Sequence, residues 1–212
     1  PLPEHVLYSI RKNKLALKGP ITTPQGKGFK SVNVTIRKTL NLFANIRPTK
    51  AYTPFVSSAH PGMNLTIIRE NEEDLYAGIE WAAGAEETDR VVRFLSQEMH
   101  VSLPNNVGIG IKPISENNTK RLVARAVAYA IENGLASVTL MHKGNIMKFT
   151  EGAFCQWGYE VAKERFADHT LTEDALYNQF KGQAPAGKVV IKDRIADMLF
   201  QQVLLRPDEF QV

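Results

Sequence analysis

The apolar residues in the second half of the chain alternate between helical and strand spacing. Where they recur every three or four positions they predict helices, and where they form a short unbroken run they predict buried strands. In chain order this gives a helix at 119–132, a strand at 137–141, a helix with an apolar stripe from Ile146 and Phe149 to Val161, a strand at 189–191 and a helix at 195–203. The polar stretch 170–188 predicts a loop. The alternation indicates an α/β fold.

The first half of the chain has shorter apolar runs and more loop residues. Its predicted elements are a helix at 4–12, a strand at 15–17, a loop at 19–30, a helix opened by Ser31 or Asn33, a strand end at 45–47 and a strand at 65–68. Residues 74–115 form a hairpin-like insertion, with a strand at 75–81, a helix at 88–99 and a strand at 107–111.

Composition and charge are those of an ordinary globular protein. The 212 residues are 43% hydrophobic and carry a formal charge of +4 without a run of like charges, so neither nucleic acid nor a membrane is indicated as a partner. The single cysteine, Cys155, has no second cysteine for an internal disulfide, and no apolar stretch reaches the roughly 18 residues of a membrane helix. We expect a cytoplasmic protein. Because the chain starts at Pro1 and ends at Val212 where a strand is expected to begin, we also expect it to be part of a longer protein.

Three arginines lie at the ends of different predicted elements, each with apolar neighbours. They are Arg37 on the helix after the first loop, Arg47 at a strand end and Arg69 at the end of the 65–68 strand. One such arginine is usually solvated or paired with an acid, but three together predict a site for an anion with several carboxylates, since guanidinium holds carboxylate bidentately. Arg90 lies in a charged helical surface pattern and is excluded from this site.

Other polar residues near these arginines have both a structural and a functional interpretation. Ser31 and Asn33, one turn before Arg37, suit helix capping or anion binding. Tyr76 is typical of a packing residue and Lys143 of a solvent-exposed one. If both face the arginines, however, the positive potential there would suit them to proton transfer. Asp197 is either an exposed helix acid or a metal ligand.

Several common sites are not supported by the sequence. The five histidines show no metal-ligand spacing, the Gly-Lys-Gly at 26–28 is too short for a phosphate-binding loop, and the Gly-Ile-Gly-Ile at 108–111 is not a dinucleotide-binding fingerprint.

Five stretches carry a resemblance to a known family. They are residues 18–38, with Lys-Ser-Val-Asn-Val-Thr-Ile-Arg-Lys at their end, Ala-Asn-Ile-Arg-Pro at 44–48, residues 69–81, His-Lys-Gly-Asn-Ile-Met-Lys-Phe-Thr-Glu-Gly-Ala-Phe at 142–154, and residues 190–206. In this order they resemble the prokaryotic isocitrate dehydrogenases of the isocitrate and isopropylmalate dehydrogenase family. Ser31 and Asn33 favour isocitrate, because isopropylmalate dehydrogenases have apolar residues there.

The resemblance implies a role for each candidate residue. Substrate contacts would be Ser31, Asn33, Arg37, Arg47 and Arg69; the proton-transfer pair would be Tyr76 and Lys143; Thr22 and Asn145 would lie near the nicotinamide, and Asp197 would bind the metal. Lys143 and Asp197 would serve the active site of the neighbouring subunit, which implies a homodimer.

The activity implied is the oxidative decarboxylation of isocitrate to 2-oxoglutarate. The cofactors would be Mg²⁺ or Mn²⁺ and NADP, with NAD as the alternative. In enteric relatives a regulatory kinase acts at the position of Ser31, where the added charge would repel isocitrate.

The resemblance also implies an architecture, an α/β three-layer sheet with helices plus an α+β dimer clasp. Residues 1–42 would belong to a large domain, residues 43–73 and 116–212 to a small domain, and residues 74–115 to the clasp. The family's N-terminal glycine-rich turn and two later metal-binding aspartates are not in these 212 residues, so we expect the chain alone to be inactive. Two alternatives stay open: a non-enzymatic dimerising module, and a related β-decarboxylating dehydrogenase acting on tartrate or homoisocitrate.

Overall fold

The computed structural model describes residues 2–22 and 31–212. Residues 23–30, most of the predicted loop at 19–30, lie outside the described residues. The chain divides into two compact units, one formed by Pro1–Asn71 with Ile114–Val212 and the other by Glu72–Pro113. None of the helices in the described ranges is both long and apolar enough to span a membrane.

The helices and strands follow the chain in a simple order. The helices are α1 (Glu4–Asn13), α2 (Val32–Thr39), α3 (Glu86–Gln97), α4 (Glu116–Glu132), α5 (Glu151–Arg165), α6 (Glu173–Phe180) and α7 (Ala196–Leu205). The strands are β1 (Ala44–Lys50), β2 (Asn64–Glu70), β3 (Ile79–Trp81), β4 (Ile109–Ile111), β5 (Ser137–His142), β6 (Thr170–Thr172) and β7 (Val189–Ile195).

The core of the larger unit is a parallel sheet covered by two helices. Its strand order is β5, β7, β6, and α4 and α5 pack on it. The buried cluster draws Val123, Ala126, Val127 and Ala130 from α4, Val138 and Leu140 from β5, Val161 and Ala162 from α5, and Val189 and Ile191 from β7. Because β7 is buried on four successive residues, both of its faces are covered, as expected for a central parallel strand.

An antiparallel hairpin of β1 and β2 packs on the same core through one face. Ile68 contacts the core cluster, and the hydroxyl of buried Thr66 lies 3.4 Å from that of Tyr129 on α4. Neighbouring strand residues point to opposite faces, so Ile67 and Arg69, which alternate with these two residues, face away from α4.

The last residues of the chain connect the hairpin to the parallel sheet. The Gln211 carbonyl accepts from the Thr66 amide of β2 at 2.8 Å, and the Val212 carbonyl accepts from the Thr139 amide of β5 at 2.8 Å. Phe210 beside them is buried. The two sheets of the larger unit are therefore linked through main-chain hydrogen bonds of the C-terminal segment.

The smaller unit is built around the antiparallel pair β3 and β4 and helix α3. Thr88 of α3 is almost fully buried and its hydroxyl donates to the Ala82 carbonyl. A salt bridge of 2.6 Å joins Lys112 to Asp74. Arg90 lies on α3 beside a cavity of about 410 Å³ that is also lined by Trp81 and Phe94.

Four predictions of local structure are wrong. Residues 15–17 form no strand, and Leu15 and Leu17 are exposed. The 75–81 strand begins only at Ile79, because residues 74–77 form a 3-10 helix that ends at Gly78 in the left-handed conformation. The polar stretch 170–188 contains β6 and α6. Ile146 and Phe149 are exposed turn residues ahead of α5.

Candidate active site

Arg47 and Arg69 lie on the same face of the β1–β2 hairpin. Arg69 pairs with Asn45 across the strands, and Asn45 and Arg47 are two residues apart, so all three side chains project from one face. This is the face turned away from α4. The Nε of Arg47 donates to the Asn45 side chain at 3.3 Å, which steadies the guanidinium. The hairpin thus presents two guanidinium groups as diagonal neighbours.

Helix α2 presents the next group of candidates. Ser31 is its N-cap residue, but its side chain makes no capping hydrogen bond. Asn33 and Arg37 are four residues apart and therefore share a helix face. The Asn33 side-chain amide donates to the Ile21 carbonyl at 3.3 Å, so Ile21, next to exposed Thr22, contacts the first turn of α2.

A single arginine of α4 anchors the connection between α2 and β1. Arg121 donates to the Asn41 side chain at 3.0 Å, and its guanidinium stacks 4.4 Å from the centre of the Phe43 ring. Asn71, at the end of the hairpin, adds a hydrogen bond of 3.0 Å to the Leu42 carbonyl. These contacts tie the α2–β1 connection, and with it the segment that carries Arg37, to the core.

Lys143 and Asp197 are brought together at the carboxyl ends of β5 and β7. Lys143 follows β5 directly, Asp197 lies in the first turn of α7 just after β7, and their side chains form a short salt bridge. The hydrogen bond from Lys143 holds the pKa of Asp197 below its ordinary value. Two residues predicted to serve one site thus lie in contact, although they are 54 residues apart.

The main chain around Lys143 is held by several hydrogen bonds. Its amide donates to the Glu151 carboxylate at 2.8 Å, and its carbonyl accepts from the amides of Ile146 and Met147 at 3.1 and 3.0 Å. Asn145, predicted to lie near a nicotinamide, is exposed within this turn. The turn therefore gives Lys143 a rigid base while leaving Asn145 accessible.

Tyr76 belongs to the smaller unit. It lies in the 3-10 helix before β3 and its ring is about half exposed. The structure therefore brings together Arg47 and Arg69 on the hairpin, and Lys143 and Asp197 at the carboxyl ends of β5 and β7. Asn33 and Arg37 share a face of α2 in the same unit, while Tyr76 belongs to the other unit.

The residues present fit one part of a Mg²⁺ or Mn²⁺ site. The Asp197 carboxylate is largely exposed, and its lowered pKa keeps it ionised, which suits a hard divalent cation. Within the described ranges, the one cluster of three ligand-type side chains is His142, Cys155 and Asp193, whose nitrogen and sulfur donors suit a softer metal. Asp197 can thus contribute a single oxygen ligand.

A polar network beside Lys143 has no signature in the sequence. His142 Nε2 lies 3.1 Å from one oxygen of Asp193, and the Tyr159 hydroxyl donates to the other at 2.7 Å. Burial and the hydrogen bond to Asp193 raise the pKa of Tyr159, and burial raises that of Cys155 to about 12. No spacing rule identifies this network, because its members come from β5, α5 and β7 and meet only in the folded sheet.

Comparison with known proteins places the whole chain in one family. The family model described as isocitrate/isopropylmalate dehydrogenase matches residues 1–212. A protein named isocitrate dehydrogenase [NADP] from Archaeoglobus fulgidus is 56% identical over 214 residues, which is 100% of this chain and 52% of that protein. Its counterpart from Haloferax volcanii is 52% identical, again over 100% of this chain and 52% of the relative.

A solved structure agrees with these relatives. The crystal structure of isocitrate dehydrogenase from Methylococcus capsulatus matches with a TM-score of 0.73 and 34% identity, covering 100% of this chain and 51% of that one. The chain spans about half the length of the relatives it matches. The resemblance found in the sequence motifs is confirmed, and the chain belongs to the isocitrate/isopropylmalate dehydrogenase family.

Proposed function

We propose that the chain is the substrate-binding and proton-transfer part of an NADP-dependent isocitrate dehydrogenase. The observation that carries the proposal is the 56% identity, over the whole chain, to a protein named isocitrate dehydrogenase [NADP]. The reaction converts isocitrate to 2-oxoglutarate and carbon dioxide. A hydride leaves the alcohol carbon for NADP, the hydroxyl loses its proton, and the carbon–carbon bond to the departing carboxylate then breaks. A proton finally replaces that carboxylate.

The arginines are assigned to the carboxylates of isocitrate. Arg47 and Arg69, on one hairpin face, form two guanidinium forks that hold the substrate in a single orientation. Arg37 on α2 adds a third positive charge. The function of these groups is to neutralise a trianion and position it, so they act mainly on substrate affinity.

Ser31 and Asn33 are assigned to the remaining carboxylate. A primary amide has two N–H donors, and Asn33 gives one to the Ile21 carbonyl. The other is the donor that we assign to the substrate. Phosphorylation of Ser31 would add a dianion at this place and repel isocitrate, so we include Ser31 as the target of a regulatory kinase.

Proton transfer is assigned to Lys143 and Tyr76. Lys143 is supported by its fixed main chain and its salt bridge with Asp197, whereas the role of Tyr76 rests on the family resemblance. Asp197 would contribute one ligand to Mg²⁺ or Mn²⁺, which when bound acts as a Lewis acid on the substrate hydroxyl. Thr22 and Asn145 are assigned to the nicotinamide side of the site.

The assembly proposed is a homodimer in the cytoplasm. By the family resemblance, Lys143 and Asp197 of one subunit serve the active site of the other, and residues 74–115 form the dimer clasp. Residues 1–42 are assigned to the large domain, and residues 43–73 and 116–212 to the small domain.

The proposal is tested by arginine substitution in the complete reading frame that encodes these 212 residues. Arg69→Gln and Arg47→Gln should each raise the KM for isocitrate about ten- to a hundredfold, because each removes a charge-assisted contact. Arg90→Gln, on α3, is the matched control and should leave KM unchanged. Initial rates of NADP reduction provide the measurement.

Substrate choice decides between this proposal and its alternatives. Isocitrate should be oxidised far faster than tartrate, homoisocitrate or isopropylmalate. A preference for one of the other three, or normal kinetics in both hairpin variants, would overturn the assignment. The 212-residue chain alone should not turn over isocitrate, since one carboxylate ligand cannot hold Mg²⁺ in place.

A further inference from the structure

The buried imidazole of His142 uses both of its ring nitrogens within the protein. His142 is the last residue of β5, immediately before Lys143, and is 7% exposed. Its Nδ1 lies 3.0 Å from the amide nitrogen of Gly144. A main-chain amide can only donate, so Nδ1 must be the acceptor. In a neutral ring the proton is then on Nε2, which donates to Asp193 at 3.1 Å.

Asp193 is held in turn by Tyr159. The Tyr159 hydroxyl donates to the second carboxylate oxygen at 2.7 Å, so each oxygen of Asp193 accepts one hydrogen bond. The chain of hydrogen bonds runs from α5 through β7 to the end of β5 and into the turn after it. Such a network selects one ring orientation and one tautomer for the histidine.

The turn that this network reaches is closely packed at Gly144. A Cβ atom on Gly144 would lie 2.8 Å from His142 Nδ1 and 2.8 Å from the Cα of Gly152, so only glycine fits between the imidazole and the start of α5. The amide of Lys143 donates to Glu151, which is also at the start of α5. The main chain of Lys143 is therefore fixed between His142 and α5.

We propose that His142 is a positioning residue, which as the neutral Nε2–H tautomer anchors the Gly144 amide and thereby fixes the place from which Lys143 reaches the substrate. The catalytic part of this inference rests on the proposed function of Lys143. The tautomer and the hydrogen bond to Gly144 do not depend on that function.

A metal site made of the same side chains is the competing interpretation. The donor atoms of His142, Cys155 and Asp193 lie within 4.8 Å of one another. A metal at Nε2 would require the ring proton on Nδ1, where it would face the N–H of Gly144, donor against donor. Burial also keeps the Cys155 thiol protonated, with a pKa of about 12. The hydrogen-bond pattern therefore favours the positioning role.

Two substitutions separate the two hydrogen bonds of His142. The Oδ1 atom of His142→Asn takes the place of Nδ1 and can still accept from Gly144, while the contact with Asp193 is lost. The Nε2 atom of His142→Gln takes the place of the ring Nε2 and can still donate to Asp193, while Gly144 loses its acceptor. Val138→Ala, a core change on the same strand, is the matched control for lost stability.

The first test follows the hydrogen bonds by NMR in the 212-residue chain. The ¹⁵N signals of the His142 ring at about pH 8 should show the proton on Nε2. Exchange of the Gly144 amide should be at least about tenfold faster in His142→Gln than in the wild type, and should change little in His142→Asn. A proton on Nδ1, equal exchange in both variants, or stoichiometric Zn²⁺ binding at His142 and Cys155 would overturn the inference.

The second test measures isocitrate oxidation in the complete reading frame. His142→Gln should lower kcat about ten- to a hundredfold while KM for isocitrate stays within about twofold, because Lys143 is misplaced and the arginines are intact. His142→Asn and Val138→Ala should keep most of kcat. If kcat fell in proportion to the loss of stability in all three variants, His142 would have only a structural role. A wild-type enzyme without isocitrate activity would refute the proposed function, and the NMR result would still decide the hydrogen-bond assignment.

Discussion

Glu173 and Arg194 form a bidentate ion pair in the larger unit. Two guanidinium nitrogens of Arg194 donate to the two carboxylate oxygens of Glu173, each at 2.7 Å, and both side chains are mostly buried. The guanidinium also contacts Gln202 at 3.3 Å. One arginine of β7 therefore contacts both the first turn of α6 and α7. Its ion pair with Glu173 should contribute more to stability than an exposed ion pair does.

Glu173→Gln should destabilise the protein at neutral pH and lose its effect in acid. The Arg194 hydrogen bonds lower the pKa of Glu173. A carboxyl with a lowered pKa stabilises the fold above its ordinary pKa of about 4.3, and this stabilisation is lost as the pH falls through the lowered value. We expect a loss of about 1–3 kcal/mol at pH 7 that shrinks below about pH 4.3. Urea unfolding at a series of pH values measures it.

A matched control for this pair is Glu164→Gln. The Glu164 carboxylate is more than half exposed and lies 3.8 Å from Lys120. Its replacement should change the free energy of unfolding by less than about 1 kcal/mol. If Glu173→Gln had an equally small effect, or one that did not depend on pH, the ion pair would contribute no more than a surface contact.

At the residue scale, the sequence indicates candidate residues but not the side chains that they contact in the fold. Arg47 and Arg69 share one face of the hairpin, and their common role in binding an anion stays a prediction. The contact between His142 and Asp193 could not be predicted, because it depends on the pairing of β5 with β7 across 51 residues. Histidine spacing along the chain contains no information on that register.

At the scale of elements, α5 packs on β5 through a glycine. A Cβ atom on Gly158 would lie 2.6 Å from Cδ1 of Leu140, which is buried in the core cluster. Helix and strand therefore approach more closely than any larger residue would allow. Since Leu140 lies two residues before His142, this contact also determines how α5 sits beside the candidate site.

Gly158→Ala should therefore destabilise the protein by about 1–3 kcal/mol, the usual cost of overpacking a core. Shortening the opposing side chain with Leu140→Val creates space for the new methyl group. The double variant should then be more stable than the sum of the two single effects predicts, by about 0.5–3 kcal/mol. Urea unfolding of the four proteins measures this coupling, and strict additivity would show that the two side chains do not compete for space.

The elements that sequence predicted well are those with long periodic apolar patterns. Helix α4 carries six buried residues at helical spacing, and β5 and β7 each contain a short apolar run, so the pattern of apolar residues alone identified them. Helix α6 was missed because it has no fully buried residue and its stability comes from the cap at Thr172 and the pair of Glu173 with Arg194. The prediction of a strand over 75–81 was wrong because Asp74 and Gly78 both have a left-handed backbone conformation, which does not fit an extended strand.

At the scale of the whole molecule, a short C-terminal segment joins the sheets of the larger unit. Lys192 of β7 is buried, and its ammonium group donates to the Glu209 carbonyl at 2.5 Å and lies 4.6 Å from the centre of the Phe210 ring. Burial lowers the pKa of Lys192. The segment thus covers a buried cation as well as bridging β2 and β5.

Shortening the chain to end at Asp208 should therefore cost at least about 3 kcal/mol, because it removes buried Phe210 and leaves the Lys192 ammonium group without its two partners. Lys192→Met distinguishes these causes. In the intact chain the substitution removes both a charge and its contacts, so it should leave the free energy of unfolding nearly unchanged. In the shortened chain it removes an uncompensated charge and should raise the free energy of unfolding by at least about 1 kcal/mol. Urea unfolding of the four proteins provides the comparison. An equal effect of Lys192→Met in both chain lengths would show that the segment acts only through Phe210 and its main-chain hydrogen bonds.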